Sequence, residues 1–119
     1  MAFKLNHLHI KTPNPEETAT WYVDNLGASI TETTSAGTYR LDLHGLPLNI
    51  TPLIDGQTHM QNYGIEHIAI DTDDMEATTA NLESGGAKNL EEISTVDGRK
   101  VCFYEDPHGV MFEIIEVKD

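Results

Sequence analysis

Polar and apolar residues alternate through residues 4–11, with Leu8 and Ile10 on one side and His7 and His9 on the other. A period of two predicts a strand with one buried face. The spacing then changes to three and four. Ala19, Tyr22, Val23 and Leu26 form an apolar stripe behind Asn14-Pro15-Glu16-Glu17. Asn supplies an N-cap, Pro suits the first helical position, and acids in the first turn oppose the positive end of the helix dipole. Gly27 ends the stripe and the helix. Strands are predicted near 28–33, 38–44 and 46–53, the last two joined by a tight turn at His44-Gly45. The second half follows the same order. A strand is predicted from Ile65 to Asp71, then an N-cap at Asp74, a stripe of Met75, Thr79 and Leu82, and a stop at Gly85-Gly86. Strands near 88–95, 99–105 and 110–117 follow, the last two separated by the turn Asp106-Pro107-His108-Gly109.

The likeness of the halves extends to the residues themselves. An offset of 60 lays Asn6-His7-Leu8-His9-Ile10 on Glu66-His67-Ile68-Ala69-Ile70, Thr12 on Thr72 and Glu16 on Glu76. An offset of 59 lays Leu26-Gly27-Ala28 on Gly85-Gly86-Ala87, and one of 64 lays His44–Ile50 on His108–Ile114. Three blocks in one order, with small drifts in offset, point to a repeated βαβββ module. The expected fold is α+β: a single domain over 1–119, with module one about 1–56, a linker about 57–64 and module two about 65–119. One module alone is too short to bury a sufficient core, so two modules are expected to form a curved mixed β-sheet cup with helices outside.

Alternation decides which polar residues share a face. If Leu8 and Ile10 face the first helix, His7 and His9 face away from it. By the same parity His67 and Glu113 leave the helix side of the second module, and Asn49 is the first-module counterpart of Glu113. A pseudo-twofold would aim His7, His67, Asn49 and Glu113 into one concavity. Two imidazoles and a carboxylate there make a site for a divalent transition metal. The plainer alternative is a solvated polar face on an antiparallel sheet.

Charge narrows the classes. Lys+Arg is 7 against Asp+Glu 20, a net charge of −13. Binding phosphates needs clustered cations, so neither a nucleic acid nor an anionic membrane surface is an expected partner. The chain has 1 cysteine, Cys102, which excludes an intrachain disulfide and suits a reducing compartment. The opening MAFKLNHLHI lacks a signal-like apolar block, and no run is long enough to cross a bilayer, so a cytoplasmic protein is expected.

The paired modules, the Asn6–Ile10 opening with its echo at Glu66–Ile70, and the closing Asp106-Pro107-x-Gly109-x-x-x-Glu113 resemble the vicinal oxygen chelate superfamily. That group includes glyoxalase I, methylmalonyl-CoA epimerase, extradiol dioxygenases, and bleomycin and fosfomycin resistance proteins. The resemblance runs over essentially the whole chain. It implies a metal on His7, His67 and Glu113, with Asn49 at the fourth position as a weak ligand or a substrate contact. One divalent ion per site is expected: Fe, Mn, Co, Ni or Zn. The implied activity is a metal-dependent lyase or isomerase acting on a small oxygenated substrate, with Glu113 as the catalytic carboxylate. An iron-dependent extradiol dioxygenase is the second reading. Such enzymes are expected to carry a Tyr roughly ten residues before the closing Glu. Phe103 stands there, and Tyr104, one residue off, falls on the other face. A third reading is a non-catalytic protein that sequesters an aromatic or antibiotic ligand. A homodimer is expected, because an open sheet edge is a liability in a monomer.

The remaining candidates carry less chemistry. His9 shares the face of His7 and reads as a rim or solvated group, while His44 and His108 read as turn residues beside Gly. His59 and Tyr63 lie in the linker. Arg40 either reaches the cup to orient an anionic substrate group or pairs with Asp42 or solvent. Cys102 reads as a small strand residue rather than a nucleophile. Trp21 is expected at a surface or interface.

Overall fold

The computed structural model describes residues 2–117. The elements are β1 (Phe3–Lys11), α1 (Pro15–Leu26), β2 (Ser29–Thr33), β3 (Tyr39–Leu43), β4 (Leu46–Thr51), β5 (Gly64–Thr72), α2 (Met75–Ser84), β6 (Lys88–Ser94), β7 (Lys100–Glu105) and β8 (Met111–Glu116). The chain is α+β with mixed strand pairing, and each half runs βαβββ as the repeat requires. It divides into two compact units. One is His7–Glu66; the other joins Met1–Asn6 to His67–Asp119 within the described residues. The division therefore falls inside β1 rather than in the linker, and residues 57–64 belong to the first of these units.

In the unit His7–Glu66 the strand order is β2-β3-β4-β1, with β1 parallel to β4 and the other pairs antiparallel. Leu8 pairs with Leu48 and Ile10 with Ile50, so these side chains share the face that meets α1. Ile10, Ala19, Ala28, Leu41, Leu48 and Ile50 form the core, with Leu8, Tyr22 and Val23 packed on it. Burying each large aliphatic side chain contributes roughly 1.5–3 kcal/mol. Leu26, expected in the stripe, is exposed: it ends the helix one residue before Gly27, whose φ of 74° turns the chain away. The β3–β4 turn has positive φ at both His44 (53°) and Gly45 (97°), the backbone that suits a tight hairpin. Strand β4 stops at Thr51, earlier than alternation predicts, because Pro52 has no N–H for a ladder.

In the other unit β5, β8, β7 and β6 lie in that order, with β5 parallel to β8 and the rest antiparallel. The first residues of the chain join it: Ala2 N donates to Asp73 Oδ1 at 2.7 Å and Asn6 Nδ2 to Asp71 Oδ1 at 2.8 Å. Met75, Cys102, Tyr104 and Ile114 form its core, with Ile70, Leu82 and Phe112 packed on it. Thr78, rather than Thr79, is the buried threonine of α2. Its hydroxyl meets that of Thr72 at 2.7 Å, and Thr12 meets Thr18 in the same way at 2.8 Å, 60 residues earlier. Each pair ties a strand end to its helix. The two helix starts differ in detail: Asp74 accepts from Ala77 N at 3.0 Å, whereas the Asn14 side chain makes no cap bond. Ile68 is exposed.

Candidate functional site

Within the unit His7–Glu66, the β1 residues opposite the core are His7, His9 and Lys11, and all three are buried. The polar face of this strand is therefore covered rather than solvated. His9 Nε2 lies 2.8 Å from Thr51 Oγ1, and Thr51 Oγ1 donates its hydrogen to Pro52 O at 2.8 Å. A hydroxyl has one hydrogen, so His9 Nε2 is the donor to Thr51 and carries the ring proton. His9 Nδ1 lies 3.3 Å from His7 Nε2. Asn49 is half-buried and pairs in register with His9 on one side and Arg40 on the other. Arg40 is exposed and its Nη1 pairs with Glu32 Oε1 at 2.5 Å, not with Asp42. A bulge between Ile30 and Glu32 shifts β2 so that Glu32 comes opposite Arg40.

The same unit holds a buried charge network that alternation did not reveal. Lys11 Nζ reaches Gln57 Oε1 and Gln61 Oε1 at 2.7 Å each and Glu66 Oε1 at 2.9 Å. Glu66 Oε2 accepts from Asn62 N at 2.9 Å, and His59 Nε2 lies 3.8 Å from Glu66 Oε1. His59 is thus packed under the linker, while Tyr63 is exposed.

In the other unit His67, on β5, places Nε2 3.2 Å from Glu113 Oε1, on β8. His67 is buried, and the Glu113 side chain is 13% exposed. The parallel register sets Glu113 beside Ala69, a small residue that leaves it room to lean toward His67. The Phe103 ring meets the His67 ring edge-on at 5.5 Å and 87°. Cys102 and Tyr104 alternate with Phe103 and lie in the core with Met75, away from His67. Burial, with the Glu92 carboxylate 3.6 Å from Sγ, pushes the Cys102 thiol up to about 11. Burial likewise pushes the Tyr104 phenol up to about 12, and its hydroxyl contacts Glu83 Oε2 at 3.2 Å. Both are therefore neutral at physiological pH, and the thiol is no nucleophile.

The turn histidines do local work. His44 Nε2 donates to Leu26 O at 2.6 Å and caps the last turn of α1. His108 N and Val110 N donate to Asp106 Oδ1, and these bonds, Val110's foremost, hold that carboxyl below the usual carboxylate range. Trp21 is exposed and packs edge-on against Tyr22.

Three buried imidazoles, His7, His9 and His67, are donors of the kind that hold a divalent ion. A family model for the Glyoxalase/Bleomycin resistance protein/Dioxygenase superfamily matches residues 4–114. The chain belongs to this superfamily. Members of the glyoxalase superfamily are also among similar solved structures. A hypothetical protein from Bacillus halodurans C-125 is 22% identical with a TM-score of 0.73, covering 100% of this chain and 97% of that one. Methylmalonyl-CoA epimerase from Mycobacterium tuberculosis is 19% identical with a TM-score of 0.70, covering 97% and 88%. The Streptomyces coelicolor epimerase, solved with 2-nitronate-propionyl-CoA, is 21% identical with a TM-score of 0.66, covering 98% of each chain. At these identities the likeness is one of fold. No curated protein sequence matches significantly. Among the described residues no helix is long and apolar enough to cross a membrane.

Proposed function

We propose that this glyoxalase-superfamily protein is a divalent-metal isomerase or lyase that acts on a small oxygenated substrate, with His7, His67 and Glu113 holding one ion. The observation that carries this reading is the pair His67 Nε2 and Glu113 Oε1, 3.2 Å apart. Two donors at roughly 2.0–2.2 Å from one ion lie about 2.9–3.5 Å apart in tetrahedral or octahedral geometry. The donor set fits: imidazole and carboxylate suit Fe, Mn, Co, Ni or Zn. When bound, such an ion supplies Lewis acidity toward a substrate carbonyl or hydroxyl oxygen. Glu113 is the one carboxylate of the set, and we assign it the proton transfer at the carbon beside that oxygen. Asn49 cannot remove a proton, which favours one-base chemistry over a pair of opposed bases. Arg40, engaged with Glu32 at 2.5 Å, would have to exchange partners to reach a substrate.

The side-chain parity of β7 favours this reading over ring-cleaving dioxygenation. Phe103, not a tyrosine, contacts His67, and the Tyr104 phenol lies in the core beside Met75. The proposal includes a cytoplasmic homodimer. Phe3 and Leu5 share one face of β1 and are 57% and 42% exposed, apolar surface that a second copy would cover.

Metal analysis of protein purified without added metal tests the reading. About one ion per chain is expected, falling in His67→Ala, together with solvent deuterium entering a small 2-oxo or acyl substrate and not in Glu113→Gln. Metal-free protein whose melting temperature ignores both chelator and added metal would overturn it in favour of a binding protein.

A further inference from the structure

We propose that residues 52–63, between β4 and β5, are a lid that opens and closes over the histidine face of β1, with Lys11 as its catch. The inference rests on the reading of that face as part of a ligand site and adds the step that admits the ligand. The loop has no regular secondary structure. Connections in compact domains usually run to about 4–6 residues, and structureless ones well beyond that are commonly functional.

The first support is an inverted surface. Leu53, Met60 and Tyr63 are exposed, Met60 by 80%, while the side chains that turn inward are polar: Gln57, Gln61 and the buried His59. Lys11 Nζ donates to Gln57 Oε1 and Gln61 Oε1 at 2.7 Å each, and Asn62 N donates to Glu66 Oε2 at 2.9 Å. Lifting such a loop uncovers amides that water can bind and little apolar surface, so the hydrophobic effect resists it weakly. The ion pair beneath favours lifting. Lys11 and Glu66 stand on β1 and β5, not on the loop, so the pair survives when the loop lifts and recovers water. In the closed form the two glutamine amides offset that loss of hydration.

The second support is position. Lys11 lies two residues beyond His9 on the side of β1 that carries both His7 and His9, so a loop fastened to it closes the end of that face. The third is a pivot. Gly64, where the loop enters β5, has φ of 95°, and an added Cβ would meet no atom within 4 Å. Glycine is therefore there for backbone freedom and not for room, as a hinge requires.

The test is acylation of metal-free protein by diethyl pyrocarbonate, which attacks imidazoles, with each histidine followed by peptide mass spectrometry. Exposed His108 is the internal reference. Hydrogen exchange is measured beside it at the Ile54 and Asn62 amides, which donate to Gln61 Oε1 and Glu66 Oε2. Gln57→Ala removes one hydrogen bond to a charged donor and should speed both loop exchange and His9 acylation about tenfold or more. Exchange in β4 should not change. Gln61→Ala, which releases Lys11 and Ile54 together, should act further in the same direction. Faster loop exchange with His9 acylation unmoved overturns the inference, because the loop then covers nothing. His9 acylation that rises only in denaturant, together with β4 exchange, also overturns it, because the face then opens by unfolding. Zinc keeps the two readings apart. A lid raises the zinc association and dissociation rates alike in Gln57→Ala, and rates that stay at wild-type values count against it. Protein that takes up no zinc while His9 acylation still follows the loop ends the metal reading and leaves the lid.

Discussion

Replacing Lys11 by Met removes a buried ammonium and keeps most of its apolar stem. In the native protein the Lys11 and Glu66 side chains are 0% and 1% exposed and 2.9 Å apart. The three ammonium hydrogens have three oxygens to receive them: Gln57, Gln61 and Glu66. Lys11→Met leaves the Glu66 carboxylate buried without that cation, though still accepting from Asn62 N at 2.9 Å. Breaking a buried ion pair from one side costs about 3–5 kcal/mol, whereas removing both charges together is often close to neutral. With a urea slope of about 1–3 kcal/mol/M, a loss of ~3 kcal/mol lowers the unfolding midpoint by about 1–3 M. The loop should loosen as well, because the Gln61 amide that accepts from Lys11 also clasps Ile54 through its N–H and C=O, at 2.7 and 2.9 Å. The assay is urea unfolding followed by circular dichroism for wild type, Lys11→Met, Glu66→Met and the double variant, with hydrogen exchange at the Ile54 amide. The double variant should be more stable than the sum of the singles predicts, and Ile54 should exchange faster in Lys11→Met. A single-variant cost below about 1 kcal/mol would refute the reasoning, since it is the size seen for solvated pairs. So would strict additivity of the two changes.

Two further outcomes follow from the other unit. Cys102 and Tyr104 have folded-state pKa values raised from 9.0 to about 11 and from 10.0 to about 12 by burial, so the fold favours their neutral forms. Their contribution to stability is fully present below pH 9 and is lost as pH rises through 9 to 12; the urea midpoint should fall over that window, less steeply in Cys102→Ala, and a flat profile would contradict the burial argument. Asp74→Ala should cost about 0.5–2 kcal/mol and Asn14→Ala clearly less, because only the Asp74 side chain holds a helix N–H; equal costs in thermal unfolding would count against that difference.

Periodicity placed the elements well where a strand buries one face against a helix, as β1 and β4 do, whereas β2 is exposed along its length. Leu8, Ile10, Leu48 and Ile50 lie in the core or pack on it, and Tyr104 and Phe103 take the opposite sides that alternation assigns. The approach of Glu113 to His67 was legible for the same reason. Pattern failed where contacts are distant in sequence or depend on one irregular residue. His9 is fixed by Thr51, 42 positions away, and Lys11 by Glu66, 55 positions away; strand parity fixes a side chain's face but not its partner. The partner of Arg40 turned on a bulge near Thr31, where one extra residue changes which side chain comes opposite. Thr78 displaced Thr79 because its hydroxyl meets Thr72; the matching threonines 60 residues earlier were the available signal.

The division of the chain inside β1 bears on how the protein is made. A ribosome adds residues in order, so residues 2–6 emerge well before the rest of their unit, which resumes at His67. The stretch His7–Glu66 is continuous and is whole before the other unit can be. Its buried ion pair links Lys11, near the start of that stretch, to Glu66, its final residue. The latch therefore closes only once the last residue of the unit has been added, and a nascent chain stalled a few residues short carries an ammonium with no carboxylate to bury it. Stalled chains ending at Asn62 should be cut readily by protease, and those extended past Glu66 should resist it.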